Sequence, residues 1–288
     1  MDAALQLKID TDRGVEFSDT RILEILGQSE LVREMTSEFP EKPLALVWRL
    51  ICISEIPYGN LLDYTQKLID KVYENLATPF GFSLSGDEKH FLPCYNAMIV
   101  SALCRLGRAK DEQVQHALNW INHYQPMERG LEVNIPNFRF DRFGGCFNKT
   151  PCYIGLAKSV IALQTYQNIT NDFSYRSKLH EGTEYMLQHR LFKRMSKDKP
   201  ITLHILDISF PESYHLNVVE LIRFAGNAGL LKDNRTHDLI DYLKSKQTKN
   251  GNWKINFRYK ADGYMVFDRG RGENKWVTYV IKTSLNKS

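Results

Sequence analysis

The most constraining feature of this sequence is a repeat in which a short loop enters a strongly apolar helix. The repeat occurs four times, and the first helical residues of its copies lie 58, 63 and 61 residues apart: Cys94, Cys152, His215 and Trp276. The units follow one another from about residue 40 to the end and leave no linker between halves. The repeat therefore predicts a single domain over residues 1–288.

Apolar helices alternate along the chain with helices that are polar on one side. The apolar set is predicted at 43–54, 94–106, 152–166, 215–228 and from 276 onward, and the one-sided set at 61–76, 111–123, 175–189 and 235–246. Helices that are apolar all round must be enclosed, whereas one-sided helices face water. The pattern predicts an all-α fold, a small (α/α) barrel of about five helical hairpins in two concentric layers.

The two ends of the repeat differ in their connections. Turns from apolar to one-sided helices are short, whereas the return connections are about 20 to 27 residues long, and connections of that length tend to be functional. We expect the long loops to collect at one mouth of the barrel, together with the starts of the apolar helices. Residues 1–18 lack a clear period and are predicted to form an irregular or strand-like N-terminal arm, followed by one amphipathic helix over 21–38.

Charge, hydropathy and cysteine content limit the classes of partner and the cellular setting that the sequence predicts. The net charge of +4 is small and spread along the chain, so nucleic acid is not a predicted partner. No apolar run approaches the ~18 residues that a membrane-spanning helix needs. Five cysteines, an odd number, and the lack of a charged-then-apolar leader predict a reducing, cytoplasmic setting.

Two segments carry a family resemblance. KQTKNGNW from Lys246 and the weaker copy NHYQPMERGLEV from Asn122 resemble the glutamine-tryptophan repeat of the prenyltransferase and squalene cyclase superfamily, and the ending GENKWVTYVIKTSL is similar to that of small bacterial squalene oxidase repeat proteins. The resemblance covers roughly residues 40–288 and implies an (α/α) toroid. It also implies an isoprenoid substrate, with a partner subunit as one option.

The superfamily has two chemistries. Cyclases of the squalene-hopene type protonate an alkene with a DxDD motif, which this sequence lacks, so that route is disfavoured. Protein prenyltransferase β subunits bind zinc through aspartate, cysteine and histidine, in a segment that resembles GxxNKxxDxCY. This chain has Asn148, Lys149, Cys152 and Tyr153, and later Tyr214 and His215, but Thr150 and Pro151 stand where the aspartate belongs.

The missing ligand has two candidate replacements. Cys94 occupies the equivalent point of the preceding repeat, and Cys146 lies on the loop that leads to Cys152. Three thiolates and an imidazole are a legitimate zinc set: Cys94, Cys146, Cys152 and His215. One alternative is that these thiols are packed in the core and the histidine is hydrogen-bonded. Cys52 and Cys104 are predicted to be packed core thiols. The other alternative is an iron–sulfur cluster, but the cysteine spacings match no common cluster pattern.

Other candidates lie in or beside the same loops. Cations that could hold a diphosphate are Arg142, Lys149, Arg258 and Lys275, and aromatic residues that could line an isoprenoid cavity include Phe147 and Trp253. The competing interpretations are a solvated rim for the cations and repeat packing for Trp253. Asp141 is the best placed lone carboxylate for acid or base work, and the resemblance adds Tyr153 and Tyr214 as catalytic candidates. His90, His204 and His237 are predicted to be surface or loop residues.

The sequence thus leads to one hypothesis and one alternative. The leading hypothesis is an isoprenoid-handling enzyme, of the prenyl-transfer or terpene-cyclisation type, with a zinc-like centre at the mouth and an isoprenoid diphosphate or another apolar small molecule as its substrate. The alternative is a non-catalytic barrel that binds a lipid or a peptide and whose cysteines are structural.

Overall fold

The structure is a computed structural model, and it describes residues 1–131, 151–270, 272 and 274–287. These residues form twelve α-helices: α1 (Ala3–Asp12), α2 (Asp19–Gln28), α3 (Glu30–Ser37), α4 (Pro43–Ile53), α5 (Asp63–Leu76), α6 (Pro93–Arg105), α7 (Glu112–Tyr124), α8 (Tyr153–Thr170), α9 (Arg176–Gln188), α10 (Val218–Asn227), α11 (His237–Ser245) and α12 (Lys275–Leu285). The fold of the described residues is therefore mostly helical, as predicted.

Strands are few in the described part of the chain. Two antiparallel pairs form small hairpins in the connections: β1 (Ala77–Thr78) with β2 (Gly81–Phe82), and β3 (Lys193–Arg194) with β4 (Lys197–Pro200). Among the described helices, none is both long and apolar enough to cross a membrane.

The predicted alternation of enclosed and half-exposed helices is confirmed by burial. Every residue of α6 from Pro93 to Cys104 is buried, whereas α5 buries only the positions that recur on one face. Each enclosed helix packs on the one-sided helix that follows it, α4 on α5, α6 on α7, α8 on α9 and α10 on α11. Consecutive enclosed helices also touch, α4 with α6, α6 with α8, α8 with α10 and α10 with α12.

The N-terminal region differs from the prediction. Residues 3–12 form α1 rather than an irregular arm, because the Asp2 carboxylate accepts a hydrogen bond from the backbone N–H of Ala4 (3.0 Å) and caps the helix. The helix expected over 21–38 is two helices. Ser29, whose backbone is extended (φ −71°, ψ 121°), ends α2, and its hydroxyl accepts from the N–H of Val32 (3.1 Å) to begin α3.

The last connection runs back to the first enclosed helix. From Trp253 to Asp262 the chain is irregular, and inward residues alternate with exposed ones, the two-residue period of an extended segment. It ends in a turn against α4, where Gly263 (φ +79°) is so close that an added Cβ would lie 2.1 Å from the carbonyl oxygen of Ala45. Two residues further on, the N–H of Met265 donates to the Cys52 sulfur (3.3 Å).

Candidate functional site: a ring cluster and a buried ion ring

The four repeat-equivalent residues all lie at the starts of enclosed helices. Cys94 is in the first turn of α6, Cys152 is the N-cap of α8, and Trp276 is in the first turn of α12. His215 lies just before α10, which begins at Val218 rather than at His215, because the side chain of Asn217 accepts from two backbone N–H groups and caps the helix there. The starts of α6 and α8 are neighbours, since a Cβ on Gly155 would lie 3.7 Å from Cβ of Pro93.

The structure describes three of the four predicted metal ligands, Cys94, Cys152 and His215. Across residues 1–131, 151–270, 272 and 274–287, no three His, Cys, Asp or Glu side chains are grouped so that they could hold a metal ion. Cys94, Cys152 and His215 therefore do not form such a group by themselves. Cys146 lies outside the described residues, and the four-residue site remains a prediction.

Eight aromatic rings form a continuous cluster beside His215, which we call the ring cluster. Its members are Trp48, Tyr95, His204, Tyr214, His215, Phe257, Tyr259 and Tyr264. They come from α4, from the first turn of α6, from the segment before α10 and from the extended segment before α12. Residues from four separate parts of the chain thus converge on one place.

One half of the ring cluster is built on Trp48. This fully buried ring contacts Tyr95, Tyr259 and Tyr264 at centroid distances of 5.6, 5.0 and 6.0 Å, each edge to face. Tyr95 stacks in turn on Tyr214 at 6.0 Å. Tyr214 is 37% exposed, so the cluster reaches from the core to the surface.

The other half contains two histidines. The His204 and His215 rings lie 4.2 Å apart, and Phe257 contacts His204 at 4.5 Å. Nδ1 of His204 is 2.7 Å from a carboxylate oxygen of Asp207. Burial, reinforced by the neighbouring His204, lowers the pKa of His215 below its ordinary value despite Asp207, and this favours a neutral imidazole near pH 7.

This arrangement supports two kinds of chemistry. Faces of tyrosine, tryptophan and phenylalanine bind apolar chains and attract positive charge. A histidine whose Nδ1 donates to a carboxylate presents Nε2 as a proton acceptor, the usual arrangement of a general base. The cluster combines an apolar, electron-rich surface with one such pair, His204 and Asp207.

Comparison with known proteins adds no further constraint. No family model, curated protein or solved structure matches this chain. The assignment of this site therefore rests on its geometry and on the residues that form it.

Two predicted site residues lie in packing positions. Tyr153 is buried in the first turn of α8, where its hydroxyl donates to the carbonyl of Leu191 (2.5 Å) and its ring contacts His189 at 5.1 Å. Burial raises the pKa of Tyr153 well above its ordinary value. Trp253 is 2% exposed, and its indole N–H donates to the carbonyl of Leu243 (2.7 Å), as expected for a residue that packs one repeat on the next.

The predicted cations are dispersed. Arg258 is exposed, and its Nη2 donates to the carbonyls of Arg269 (2.9 Å) and Gly270 (3.3 Å). Lys275 is exposed at the first residue of α12 and lines a separate depression with Asp268. Five further candidates lie outside the described residues: Asp141, Arg142, Cys146, Phe147 and Lys149.

A second site, not predicted from the sequence, lies in the interior. Six charged side chains, which we call the ion ring, are linked by ion pairs in the order Arg223, Glu55, Arg105, Glu212, Lys158 and Glu220. They come from α6, α8, α10, the end of α4 and the segment before α10. The ring thereby joins four of the enclosed helices.

The contacts of the ion ring are short. Arg105 Nη1 lies 2.8 Å from Glu55 and 2.9 Å from Glu212, and Arg223 Nη1 lies 2.6 Å from Glu55. Lys158, only 1% exposed, lies 3.1 Å from Glu212 and also pairs with Glu220. The Lys158 ammonium group also donates to the carbonyl of Ser213 (3.0 Å).

The surroundings shift the pKa values of Glu212 and Glu220 in opposite directions. Burial raises the pKa of Glu220 to about 8, since Glu212 adds to the effect and Lys158 only partly opposes it. Burial acts on Glu212 as well, but Lys158 and Arg105 outweigh it and lower its pKa to about 2. Carboxyl groups whose pKa values separate in this way divide into a proton carrier and a fixed anion.

The sequence did contain a signal for the ion ring. Each of its helical members is a lone charge, or one of two, inside an otherwise apolar enclosed helix, as in YIGLAKSVIALQTY around Lys158. A charge that cannot reach water needs a partner. The signal indicates that buried partners exist, but it does not say which residues they are.

Proposed function

We propose that this chain handles an isoprenoid or a similarly apolar ligand at the ring cluster, as an enzyme of the prenyl-transfer or terpene-cyclisation type. The observation that carries the proposal is the continuity of eight rings from the buried Trp48 to the exposed Tyr214. Such a surface binds a branched hydrocarbon chain and stabilises positive charge that develops on it.

We infer that the helical hairpins close into an (α/α) ring. The support is the packing of the enclosed helices on one another in chain order, together with the return of the last connection onto α4 at Gly263 and Met265. In such a ring the starts of the enclosed helices share one mouth, and the ring cluster would lie in it.

The pair of His204 and Asp207 gives the site a proton acceptor. Departure of diphosphate from an isoprenoid diphosphate leaves an allylic carbocation, and its quenching by loss of a proton or by attack of water releases a proton that a base must accept. We propose that His204 takes this proton, while Asp207 holds its ring and His215 remains neutral beside it.

Zinc remains part of the proposal only through Cys94, Cys146, Cys152 and His215. Zinc would supply a Lewis acid or an activated thiolate. Elemental analysis of protein purified without added metal is expected to find about one zinc per chain, and Cys152→Ala to lose it. A stable, metal-free protein would remove zinc from the proposal and leave the ring cluster untouched.

Tryptophan fluorescence tests the ligand. Of the four tryptophans, only Trp48 belongs to the ring cluster, so titration with farnesol or farnesyl diphosphate is expected to change its emission saturably. Trp48→Phe should abolish the change. Tyr214→Ala should weaken binding at least tenfold, whereas Tyr124→Ala, on α7 outside the cluster, should bind as the wild type does.

Product analysis separates the enzyme from the alternative, a non-catalytic binding barrel. If the enzyme proposal holds, wild-type protein converts farnesyl diphosphate to a new product, and His204→Gln binds the ligand with little change but loses turnover. Binding without any product would favour the alternative. No saturable response to either probe would overturn the assignment of the ligand class.

A further inference from the structure

A pocket opens between α8 and α10. It has a volume of about 270 Å³ and extends from the ion ring to the last turns of these helices, at Asn168 and Asn227. The helices α6 and α8 pack closely along each other, whereas α8 and α10 touch only sparsely. The pocket occupies that gap and is distinct from the ring cluster, whose His215 precedes α10.

The walls of the pocket are of two kinds. Its inner wall carries the charges of Arg105, Glu212, Glu220 and Arg223. Its outer wall includes apolar side chains of α8, among them Ile161 and the half-exposed Ile169. A ligand that fits both walls has a polar head and an apolar body, and it must be small, because the volume lies just below the range of about 300–1,000 Å³ that is typical of small-molecule sites.

The inner wall has hydrogen-bond donors to spare. Arg105 uses only Nη1 for Glu55 and Glu212, and Arg223 uses only Nη1 for Glu55. Among the described residues, Nε and Nη2 of both guanidinium groups have no acceptor. Guanidinium groups present paired donors that match the two oxygens of a carboxylate.

The charge balance favours the same ligand. The ion ring has three cations, Arg105, Lys158 and Arg223, and three carboxyl groups. Burial raises the pKa of Glu220 above its ordinary value, so this carboxyl is more easily protonated than a free one, and its protonation would leave the ion ring with an excess positive charge. A buried excess charge is costly unless an anion neutralises it.

We propose that this pocket binds a small organic monocarboxylate, whose carboxylate pairs with Arg223 and Arg105 and whose apolar body lies along Ile161 and Ile169. The site is independent of the proposed isoprenoid site. It would give the protein a second ligand, held between two enclosed helices.

Calorimetry with three probes of equal length tests the chemistry of the head group. Hexanoate is expected to bind at least tenfold more tightly than hexan-1-ol or hexylamine. Equal binding of hexanoate and hexan-1-ol would overturn the proposal, because the guanidinium groups would then contribute nothing. Tighter binding of hexylamine would also overturn it, and would assign the pocket to cations through Glu212 and Glu220.

Variants locate the site. Arg223→Gln should weaken hexanoate binding at least tenfold, whereas Arg190→Gln, an exposed arginine paired with Asp238, should leave it within twofold. If Arg223→Gln fails to fold, Ile169→Glu decides: it places a negative charge at the half-exposed rim, and it too should weaken hexanoate binding at least tenfold. Unchanged affinity in a folded Arg223→Gln or in Ile169→Glu would contradict the proposal.

The dependence on pH gives an independent readout. Glu220 is faced by Lys158 from α8, by Arg105 from α6 and by Glu212 from the preceding segment. As pH rises through about 8, Glu220 ionises and the excess positive charge is lost, so hexanoate binding is expected to weaken between pH 7 and pH 9. Glu220→Gln should remove most of that dependence. A pH dependence equal to that of the wild type would contradict the assigned charge balance.

Discussion

The ring cluster and the ion ring lie close together but differ in chemistry and in exposure to solvent. The ring cluster is rich in aromatic surface and is partly open to solvent at Tyr214, whereas the ion ring consists of paired charges, and its Glu55 and Glu212 side chains are only 3% and 5% exposed. Tyr264 connects the two, because its hydroxyl donates to the carbonyl of Pro211 (2.6 Å), the residue before Glu212. We therefore expect the buried pairs of the ion ring to contribute more to stability than the ring cluster does.

The largest expected effect is in the ion ring. Lys158→Met removes the cation shared by Glu212 and Glu220 and should lower the free energy of unfolding by about 3–5 kcal/mol, the usual cost of removing one partner of a buried pair. Lys254→Met, at an exposed position, is the matched control and should change it by no more than about 0.5 kcal/mol. Urea denaturation measures both. A loss below about 1 kcal/mol in Lys158→Met would show that the ion ring contributes little to the free energy of unfolding.

The second prediction concerns the dependence of stability on pH through the carboxyl group of Glu220. The pKa of Glu220 is raised in the folded protein, so the stability contributed by its protonated form is complete below its ordinary value of 4.5 and is lost as pH rises toward about 8. We expect the wild type to lose stability relative to Glu220→Gln between pH 5 and pH 8. Glu74→Gln, on the exposed side of α5, controls for the loss of one carboxylate. Parallel stability curves of wild type and Glu220→Gln would show that Glu220 titrates alike in both states.

The smallest effect is expected in the ring cluster. Because burial lowers the pKa of His215, the unfolded chain takes up a proton more readily than the folded one as pH falls below 6.5, and the protein loses stability there. His215→Phe should lose less stability than the wild type between pH 6.5 and pH 5. Tyr214→Phe, which removes a hydroxyl and no group that titrates in this range, should follow the wild type. An equal acid loss in His215→Phe would remove His215 from the explanation.

The helical layers could be predicted because burial leaves a period in the sequence. Enclosed helices such as α6 read as apolar all round, and half-exposed ones such as α5 do not. The break at Ser29 and the helix α1 could not be predicted in this way, because both depend on capping by Ser29 and Asp2 rather than on a hydrophobic period. The extended segment from Trp253 to Asp262 also has a period in the sequence, because its apolar residues are two apart, as in a strand.

The sites were less predictable than the layers, because their partners are far apart in the chain. The repeat placed Tyr214 and His215 at the start of an enclosed helix, but nothing local indicated that His204 would stack on His215, and His204 was predicted to be a surface or loop residue. The ion ring is a stronger example, since Glu55 and Arg223 are 168 residues apart. Their pairing joins the segment just after α4 to α10 and follows from no pattern within either helix.

The most direct measurement for the ring cluster is a crystal structure of the protein with bound farnesyl diphosphate. Electron density for the isoprenoid chain is expected against Tyr214, Phe257 and Tyr259, with His204 within reach of its reactive end. An isoprenoid chain bound elsewhere, or an unoccupied ring cluster at a saturating concentration of the ligand, would contradict the assignment of this cluster as the binding site.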